Sequence, residues 1–100
     1  MSEQRIHKYP VPAMWTLGPV LIEMPEGAQI LHAAEQRNEV MVWALVDPAA
    51  PVRRRCVACF VTGPPVALSE GAKHIGTIGD FRGWMVIHVF DLGEEPAERS

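Results

Sequence analysis

The sequence predicts a small all-β or β-dominated domain, a single sandwich or barrel of six to seven short strands with at most one short helix. Short apolar runs recur along the chain, and they predict strands of five to ten residues. Nine prolines and eight glycines separate these runs and supply many turns. One run, Glu39–Asp47, is apolar on both faces of a strand. Together these observations indicate two layers of short strands.

The Glu39–Asp47 run also hints at assembly. In an extended chain its apolar residues divide between two faces, Val40, Val42, Ala44 and Val46 on one and Met41, Trp43 and Leu45 on the other. A strand that is apolar on both faces needs cover on both. A domain of 100 residues has little material for a third layer. We therefore expect a central strand, and a homodimer that covers its second face.

The other strands follow from their own patterns. The predicted strands are, in order, Arg5–Tyr9, Val20–Met24, Gln29–Glu35, Glu39–Val46, Arg53–Thr62, Lys73–Ile78 and Trp84–Asp91. Pro, Gly and Asn clusters mark the connections between them. The polar end of the chain predicts a disordered tail at residues 93–100, so that residues 1–92 form the single β-rich domain.

Two segments leave alternatives open. Pro25 is suited to begin a helix that carries Ile30 and Leu31 and ends before Asn38. Gly27 would sit in the first turn of that helix, so residues 25–37 can equally form a hairpin with a turn at Pro25–Gly27. The second segment, Val66–Ala72, can form a helical turn but is too short to anchor a fold.

Composition narrows the classes of partner. The net charge is −3 and the pI is near 5.7, which disfavours a protein that coats extended nucleic acid. The longest uninterrupted apolar run, Val40–Val46, is far shorter than the roughly 20 residues that span a bilayer. No apolar segment of signal-peptide length precedes Lys8. We expect a cytosolic protein that does not enter membranes.

The two cysteines, Cys56 and Cys59, form a C-x-x-C pattern inside a predicted strand. Positions three apart on a strand project to opposite faces, so the two sulfurs can neither join each other nor share one metal ion. No second pair of cysteines completes a four-ligand zinc site. We expect two reduced thiols.

No catalytic signature stands out. The three serines, Ser2, Ser69 and Ser100, lie outside any G-x-S-x-G elbow, and phosphate-binding glycine loops are absent. The four histidines do not have metal-ligand spacing. We therefore expect no enzymatic activity, no catalytic residues, no bound metal and no cofactor. His88 alternates with Trp84, Val86 and Phe90 on one strand face, as a hydrogen-bonded core residue or as part of a pocket.

The triplet Arg53, Arg54 and Arg55 is the one concentration of charge. On a strand it places Arg53 and Arg55 on one face and Arg54 on the other. One interpretation is a solvated strand edge protected from edge-to-edge pairing. The other is a site for phosphate or carboxylate groups, which guanidinium groups bind bidentately. We therefore predict a binding surface of these arginines, with Trp43 and Trp84 for apolar or stacking contacts and His88 as a further member.

A set of motifs along the chain resembles a known group of proteins. They are Ile6-His-Lys-Tyr-Pro10, Ile22-Glu-Met-Pro-Glu-Gly-Ala28, Trp43-Ala-Leu-Val-Asp-Pro48, Ile75-Gly-Thr77 and His88-Val-Phe-Asp91. Their succession resembles small uncharacterised proteins encoded by tailed bacteriophages and prophages. The sequence departs from that pattern at Val61–Pro65, where a Gly-Thr-Gly loop is expected, and in the longer segment Val11–Pro19. The resemblance implies a phage origin and a compact β-rich fold.

Three classes of function remain. The first is a non-enzymatic phage protein in the host cytoplasm that antagonises a host factor, either by inhibiting a host defence protein or by sequestering a small nucleotide signal. The second is an accessory or structural component of the virion, and the third is a small enzyme whose site the sequence does not reveal. We expect the first, with a host bacterial protein or a nucleotide as partner.

Overall fold

The computed structural model describes residues 3–12 and 18–95, and these residues form seven strands and no helix. The strands are β1 (Arg5–Val11), β2 (Gly18–Pro25), β3 (Gln29–Gln36), β4 (Glu39–Val46), β5 (Val52–Val61), β6 (Lys73–Phe81) and β7 (Met85–Glu94). The predicted all-β class is confirmed, with each predicted strand in place. This part of the chain has no helix long and apolar enough to cross a membrane.

The strands form two antiparallel sheets that pack as a sandwich. Sheet A has the order β1-β4-β3, and sheet B has the order β2-β5-β7-β6. Two connections are hairpins, β3–β4 and β6–β7. The β3–β4 turn consists of Arg37 and Asn38 at φ 54° and 65°, and positive φ at both positions matches the right-handed twist of the flanking strands.

Residues 25–37 follow neither sequence prediction completely. Pro25–Gly27 is a turn and no helix forms, but the strands on either side do not pair. β2 pairs with β5 in sheet B, whereas β3 pairs with β4 in sheet A. The hairpin prediction was therefore wrong, because Gly27, at φ 77°, turns the chain from one sheet to the other. The Val66–Ala72 segment is not helical either and contains only a turn, closed by a hydrogen bond from Ala72 N to Ser69 O.

The core lies between the two sheets. β4 alternates strictly, with Val40, Val42, Ala44 and Val46 buried and the residues between them partly exposed. The core cluster also includes Val11, Ile22, Met24, Ala28, Ala33, Val57, Cys59, Ile78, Phe81, Ile87 and Val89. Sheet B therefore covers only one of the two apolar faces of β4, the face of its buried residues. Each large apolar side chain that is fully buried stabilises the fold by about 1.5–3 kcal/mol.

One side of the sandwich is closed by a close approach of β3 to β6. Both strands carry irregularities there, between Ile30 and His32 and between His74 and Gly76. Bulges of this kind bend a sheet edge and increase its twist. At the contact, a Cβ atom on Gly76 would lie 2.8 Å from the backbone oxygen of Ala33. Only glycine lets the two edges come this close.

The strand β7 is longer than predicted. It extends to Glu94, so Gly93 and Glu94, which the sequence assigned to the disordered tail, are part of sheet B. Residues 96–100 of the predicted tail lie outside the described residues, as does most of the Val11–Pro19 segment.

The two cysteines lie on opposite faces of β5, as the sequence predicts, and both are free. Cys59 is buried in the core, and burial raises the pKa of its thiol to about 11. Cys56 is only partly buried, on the outer face. Burial, and then the negative charges of Glu95 and Asp91, raise the pKa of the Cys56 thiol as well.

The β3–β6 contact gives a test of the fold. Gly76→Ala forces a methyl group against the Ala33 carbonyl, and we expect it to lower the free energy of unfolding by about 1–3 kcal/mol. Gly79→Ala on the same strand is the matched control, because a Cβ atom there meets nothing within 4 Å. Urea denaturation of the two variants measures the difference. Equal stabilities would show that β3 and β6 are not in tight contact.

Candidate functional site

The arginine triplet lies on β5 and alternates between faces as predicted. Arg55 stands opposite Ile22 and Arg54 stands opposite Glu23 on the neighbouring strand β2. Because Ile22 belongs to the core, Arg55 and Arg53 project on the inner side of sheet B at the end of the sandwich. Arg54 projects on the outer side.

Arg55 forms a nearly buried ion pair with Asp91 on β7. Its Nε and Nη2 atoms donate to the two carboxylate oxygens of Asp91, each at 3.0 Å, in a bidentate arrangement. The side chains are only 12% and 10% exposed. Nη1 of Arg55 donates to the backbone oxygen of Ala28 at 2.6 Å. The guanidinium group thus joins the corner between β2 and β3 to the strand β7.

A second carboxylate strengthens the same corner. Glu94 accepts a hydrogen bond from the backbone nitrogen of Gly27 and lies 3.8 Å from Nη1 of Arg55. The backbone nitrogen of Gly93 donates to Asp91 at 2.9 Å. Burial alone raises the pKa of Asp91, but the hydrogen bonds from Arg55 and Gly93 and the charges of Arg55 and Lys73 outweigh it and hold that pKa below its ordinary value. Asp91 is therefore ionised at neutral pH.

The other two arginines also have acidic partners. Nε of Arg53 donates to Glu26 at 2.9 Å, and Nη2 of Arg54 donates to Glu95. These pairs are partly exposed, so each stabilises the fold by at most about 1 kcal/mol. For Arg55, whose donors are occupied inside the fold, this geometry favours a structural role over contact with a ligand.

The structure separates the predicted site residues into different surfaces. Trp43 lies on the outer face of sheet A, because its neighbours Val42 and Ala44 on β4 point into the core. Trp84 and His88 belong to sheet B and its β6–β7 turn. Along β7, Trp84 is roughly 20 Å from the arginine end of the sandwich. The arginines and the two tryptophans therefore do not form one surface.

His88 comes together with further side chains on the outer face of sheet B, and Trp84 lies at one end of that face. Val86, His88 and Phe90 alternate with buried residues of β7 and so share its outer face, and Trp84 lies in the turn that leads into this strand. Trp84 is 75% exposed, more than any other large apolar side chain described. We call the outer face of sheet B around these four residues the β7 face.

His88 is held in a chain of side-chain hydrogen bonds on this face. Its Nε2 lies 2.8 Å from the hydroxyl of Thr62, and its Nδ1 lies 3.2 Å from the hydroxyl of Thr77. The Thr77 hydroxyl is also 2.8 Å from Nε2 of His74. Both ring nitrogens of His88 are engaged, so its ring is fixed in orientation. Exposed side chains rarely bond one another in this way, since most bond backbone or water.

Aromatic rings lie beside the hydrogen-bonded side chains around His88. Phe60 and Phe90 meet edge to face at 5.9 Å, and His74 meets Phe90 at 5.3 Å. A shallow cavity of about 250 Å³ adjoins them, lined by Phe60, Val61, Pro64, Pro65 and Val66. The β7 face thus combines aromatic contact area with fixed hydroxyl and imidazole groups. Such a surface is suited to binding a partner.

The sequence pointed to only part of this face. The alternation of Trp84, Val86, His88 and Phe90 was visible, because period two follows directly from a strand. Thr62 and His74 come from segments far away in the chain, and only the register of sheet B brings them beside β7. Within residues 3–12 and 18–95, no group of three or more His, Cys, Asp or Glu side chains could hold a metal ion.

Comparisons with known proteins place the chain in one family. The family model described as Domain of unknown function (DUF7352) matches residues 2–100, so the chain belongs to that family. Searches of curated proteins and of solved structures found no match.

The ion pair at the corner predicts unequal roles for two neighbouring arginines. Arg55→Ala leaves Asp91 buried without its counter-charge, and we expect a loss of about 3–5 kcal/mol in the free energy of unfolding. Arg54→Ala removes only an exposed pair, and we expect a loss below about 1 kcal/mol. Chemical denaturation at pH 7 distinguishes them. If both variants lost the same small amount, Arg55 would not hold the corner.

The depressed pKa of Asp91 predicts acid sensitivity. A carboxyl group whose pKa is lower in the folded chain contributes stability that is fully present above its unfolded pKa, about 3.9, and is lost as the pH falls through the folded value. We expect the stability of the wild type to fall steeply below about pH 4. Asp91→Asn should be less stable at pH 7 and should lose less on acidification.

The control for this experiment is Asp80→Asn, since Asp80 is exposed and asparagine tolerates its φ of 52°. It should follow the wild type throughout a series of urea denaturations between pH 7 and pH 2. An Asp91→Asn variant with the same loss on acidification as the wild type would show that Asp91 does not govern acid stability.

Proposed function

We propose that this member of the DUF7352 family is a non-enzymatic binding protein that contacts a partner protein through the β7 face. The observation that carries the proposal is the exposure of Trp84, 75%, in the turn that leads into β7, whose outer face carries a fixed arrangement of aromatic and hydrogen-bonding side chains. A large exposed aromatic ring loses water on binding, and tryptophan is enriched among the residues that dominate binding energy at interfaces.

The hydrogen-bonded chain supports the same proposal. His88 and Thr77 are already oriented before any partner arrives. A preorganised surface loses less conformational entropy on binding than a flexible one, so more of the contact energy remains as affinity. Phe60 and Phe90 pack edge to face beside these hydrogen-bonded side chains and add aromatic contact area to the surface.

More specifically, we propose that the protein is encoded by a phage and that the partner is a host protein, which it antagonises in the host cytoplasm. It rests on the resemblance between the motifs from Ile6 to Asp91 and those of small phage and prophage proteins, which is an analogy of sequence rather than a physical argument. A compact binding domain with an exposed aromatic surface is suited to such a role, because inhibition by binding needs a contact surface and no reaction.

A nucleotide is the second candidate partner. Exposed aromatic rings such as Trp84 stack nucleobases, and stacking on one ring is worth about 1–3 kcal/mol per base. The hydroxyl and imidazole groups around His88 on the same face are able to bond a base edge or a phosphate. The paired state of Arg53, Arg54 and Arg55 makes the arginine end less suited to the phosphate than the sequence suggested.

The test compares the wild type with two alanine variants of the full-length protein. Immobilised wild-type protein captures its partner from a lysate of the host bacterium, and mass spectrometry identifies it. Trp84→Ala should weaken the affinity for that partner about 30-fold, equivalent to about 2 kcal/mol. Val52→Ala, an equally simple truncation at another exposed position, should leave it within twofold. Equal affinities of the two variants would exclude the β7 face as the contact surface.

A thermal-shift screen with cyclic and linear nucleotides separates the two partner classes. A rise in melting temperature of the wild type, absent in Trp84→Ala, together with no specific protein captured, would replace the protein partner with a nucleotide. Capture of one protein at near-stoichiometric amounts without any nucleotide effect supports the proposal as stated.

A further inference from the structure

A small cavity lies at the end of sheet A where the β3–β4 hairpin turns. It has a volume of about 260 Å³ and is lined by Lys8, Gln36, Arg37, Glu39 and Met41. These residues come from β1, from the end of β3, from the turn and from β4. We call this cavity the hairpin pocket. It lies on the other sheet from the β7 face and is independent of the proposed function.

Two cations of the hairpin pocket are not neutralised by an ion pair. Each arginine of the triplet on β5 is paired with an acidic side chain. Lys8 and Arg37, by contrast, form no ion pair within residues 3–12 and 18–95. Two positive charges that line one cavity attract an anion, and they attract a doubly charged anion most strongly.

Lys8 is held at the pocket by a hydrogen bond. Its Nζ atom donates to Oε1 of Gln36 at 2.5 Å, across the strand β4 that lies between β1 and β3. An ammonium group has three N–H donors, so Lys8 has two more for a ligand. Gln36 turns its oxygen towards Lys8 and has its amide N–H groups to donate. The pocket therefore presents donors that are in position before a ligand binds.

The turn itself does not explain why an arginine stands at position 37. Arg37 has a φ of 54°, in the left-handed region that asparagine, aspartate and glycine adopt at less cost than other residues. Two-residue hairpin turns accordingly favour Asn and Gly. Backbone conformations of this kind are concentrated at binding sites, where the side chain is needed for another reason. Because the side chain of Arg37 lines the pocket, its charge is such a reason.

Glu39 narrows the class of ligand. Its carboxylate lines the same pocket and repels a bare anion, so a suitable ligand must also bring donor groups. An ammonium group on the ligand would face Lys8 and Arg37, whereas a hydroxyl group bonds a carboxylate without adding a charge. The volume lies below the roughly 300–1,000 Å³ of pockets for drug-sized ligands, so the ligand must be small.

We infer that the hairpin pocket binds a phosphorylated sugar. A phosphate monoester carries close to two negative charges at neutral pH, which matches the charges of Lys8 and Arg37. A guanidinium group binds phosphate oxygens bidentately, and an ammonium group binds them as a point charge. The sugar hydroxyl groups donate to Glu39 and accept from the amide of Gln36. Met41 provides the apolar part of the wall.

A phosphorylated ribose has this chemistry both as a free sugar phosphate and within a mononucleotide. Trp43 distinguishes the two sources. It stands beside Lys8 on the outer face of sheet A and is the next residue after Met41 on that face of β4. An aromatic ring at this position is suited to stack the base of a nucleotide whose phosphate lies in the pocket. A free sugar phosphate has no group that gains from the ring.

The test measures the binding of ribose 5-phosphate to the full-length protein by isothermal titration calorimetry. We expect saturable binding that is about tenfold weaker in Lys8→Gln and in Arg37→Asn, because each removes a charged hydrogen bond to the phosphate. Asparagine suits the turn, so Arg37→Asn should be no less stable than the wild type in urea. Arg54→Asn is the matched control on the other sheet and should bind like the wild type.

Ribose and inorganic phosphate are the reference ligands. Each makes only part of the contacts and should bind about tenfold more weakly than ribose 5-phosphate, and Glu39→Ala should reduce the preference over phosphate. Absence of saturable binding at millimolar ribose 5-phosphate would overturn the inference. So would an unchanged affinity in Lys8→Gln or Arg37→Asn, an Arg54→Asn variant as weak as these two, or inorganic phosphate that binds as tightly as the sugar phosphate.

Adenosine 5′-monophosphate identifies the source of the phosphorylated ribose. An affinity above that of ribose 5-phosphate, with the gain lost in Trp43→Ala, assigns the pocket to a mononucleotide. An affinity equal to or below that of ribose 5-phosphate assigns it to a free sugar phosphate. Trp84→Ala should leave both affinities unchanged, because Trp84 lies on the other sheet. Failure of this inference is therefore distinguishable from failure of the proposed function.

Discussion

The buried ion pair between Arg55 and Asp91 is the interaction on which the relative placement of the two sheets depends. The pair lies within sheet B, but the third arm of the guanidinium group bonds the carbonyl of Ala28, where the chain has just left that sheet for sheet A. Glu94 holds the adjacent Gly27 from the same strand as Asp91. The turn between the sheets is thus held by two contacts, one from Arg55 on β5 and one from Glu94 on β7.

Such a pair need not add net stability, because removing two charges from water costs several kcal/mol for each ion. Its contribution is specificity. Apolar attraction between Val, Ile and Met side chains is non-directional, whereas a bidentate ion pair is satisfied in only one arrangement. The same logic applies to Gly76, whose missing side chain leaves room for the backbone of Ala33. Apolar burial drives folding, and these two contacts select the packing.

The two outer faces of the sandwich have different chemistry. On the outer face of sheet A, Lys8 and His32 stand on either side of Trp43, and Lys8 donates to Gln36 on the opposite edge strand. The β7 face carries aromatic rings together with hydroxyl and imidazole groups that bond one another. A surface with oriented polar groups can discriminate between partners. Trp43 and Trp84, which the sequence suggested as members of one site, therefore lie on two different surfaces.

The sequence by itself determined the strands, their alternation and the two-faced character of β4. These are local properties, because neighbouring residues alone determine the alternation of apolar side chains along a strand and the positions of the Pro and Gly turns. It also determined that Cys56 and Cys59 face apart and that Arg54 faces away from Arg53 and Arg55. Only the tertiary structure decided that β2 and β3 separate into different sheets, that Asp91 neutralises Arg55, and that Thr62, Thr77 and His74 gather around His88. These contacts join residues up to 36 positions apart, and strand pairing between such segments depends on the total burial and register of both sheets, which no local pattern encodes.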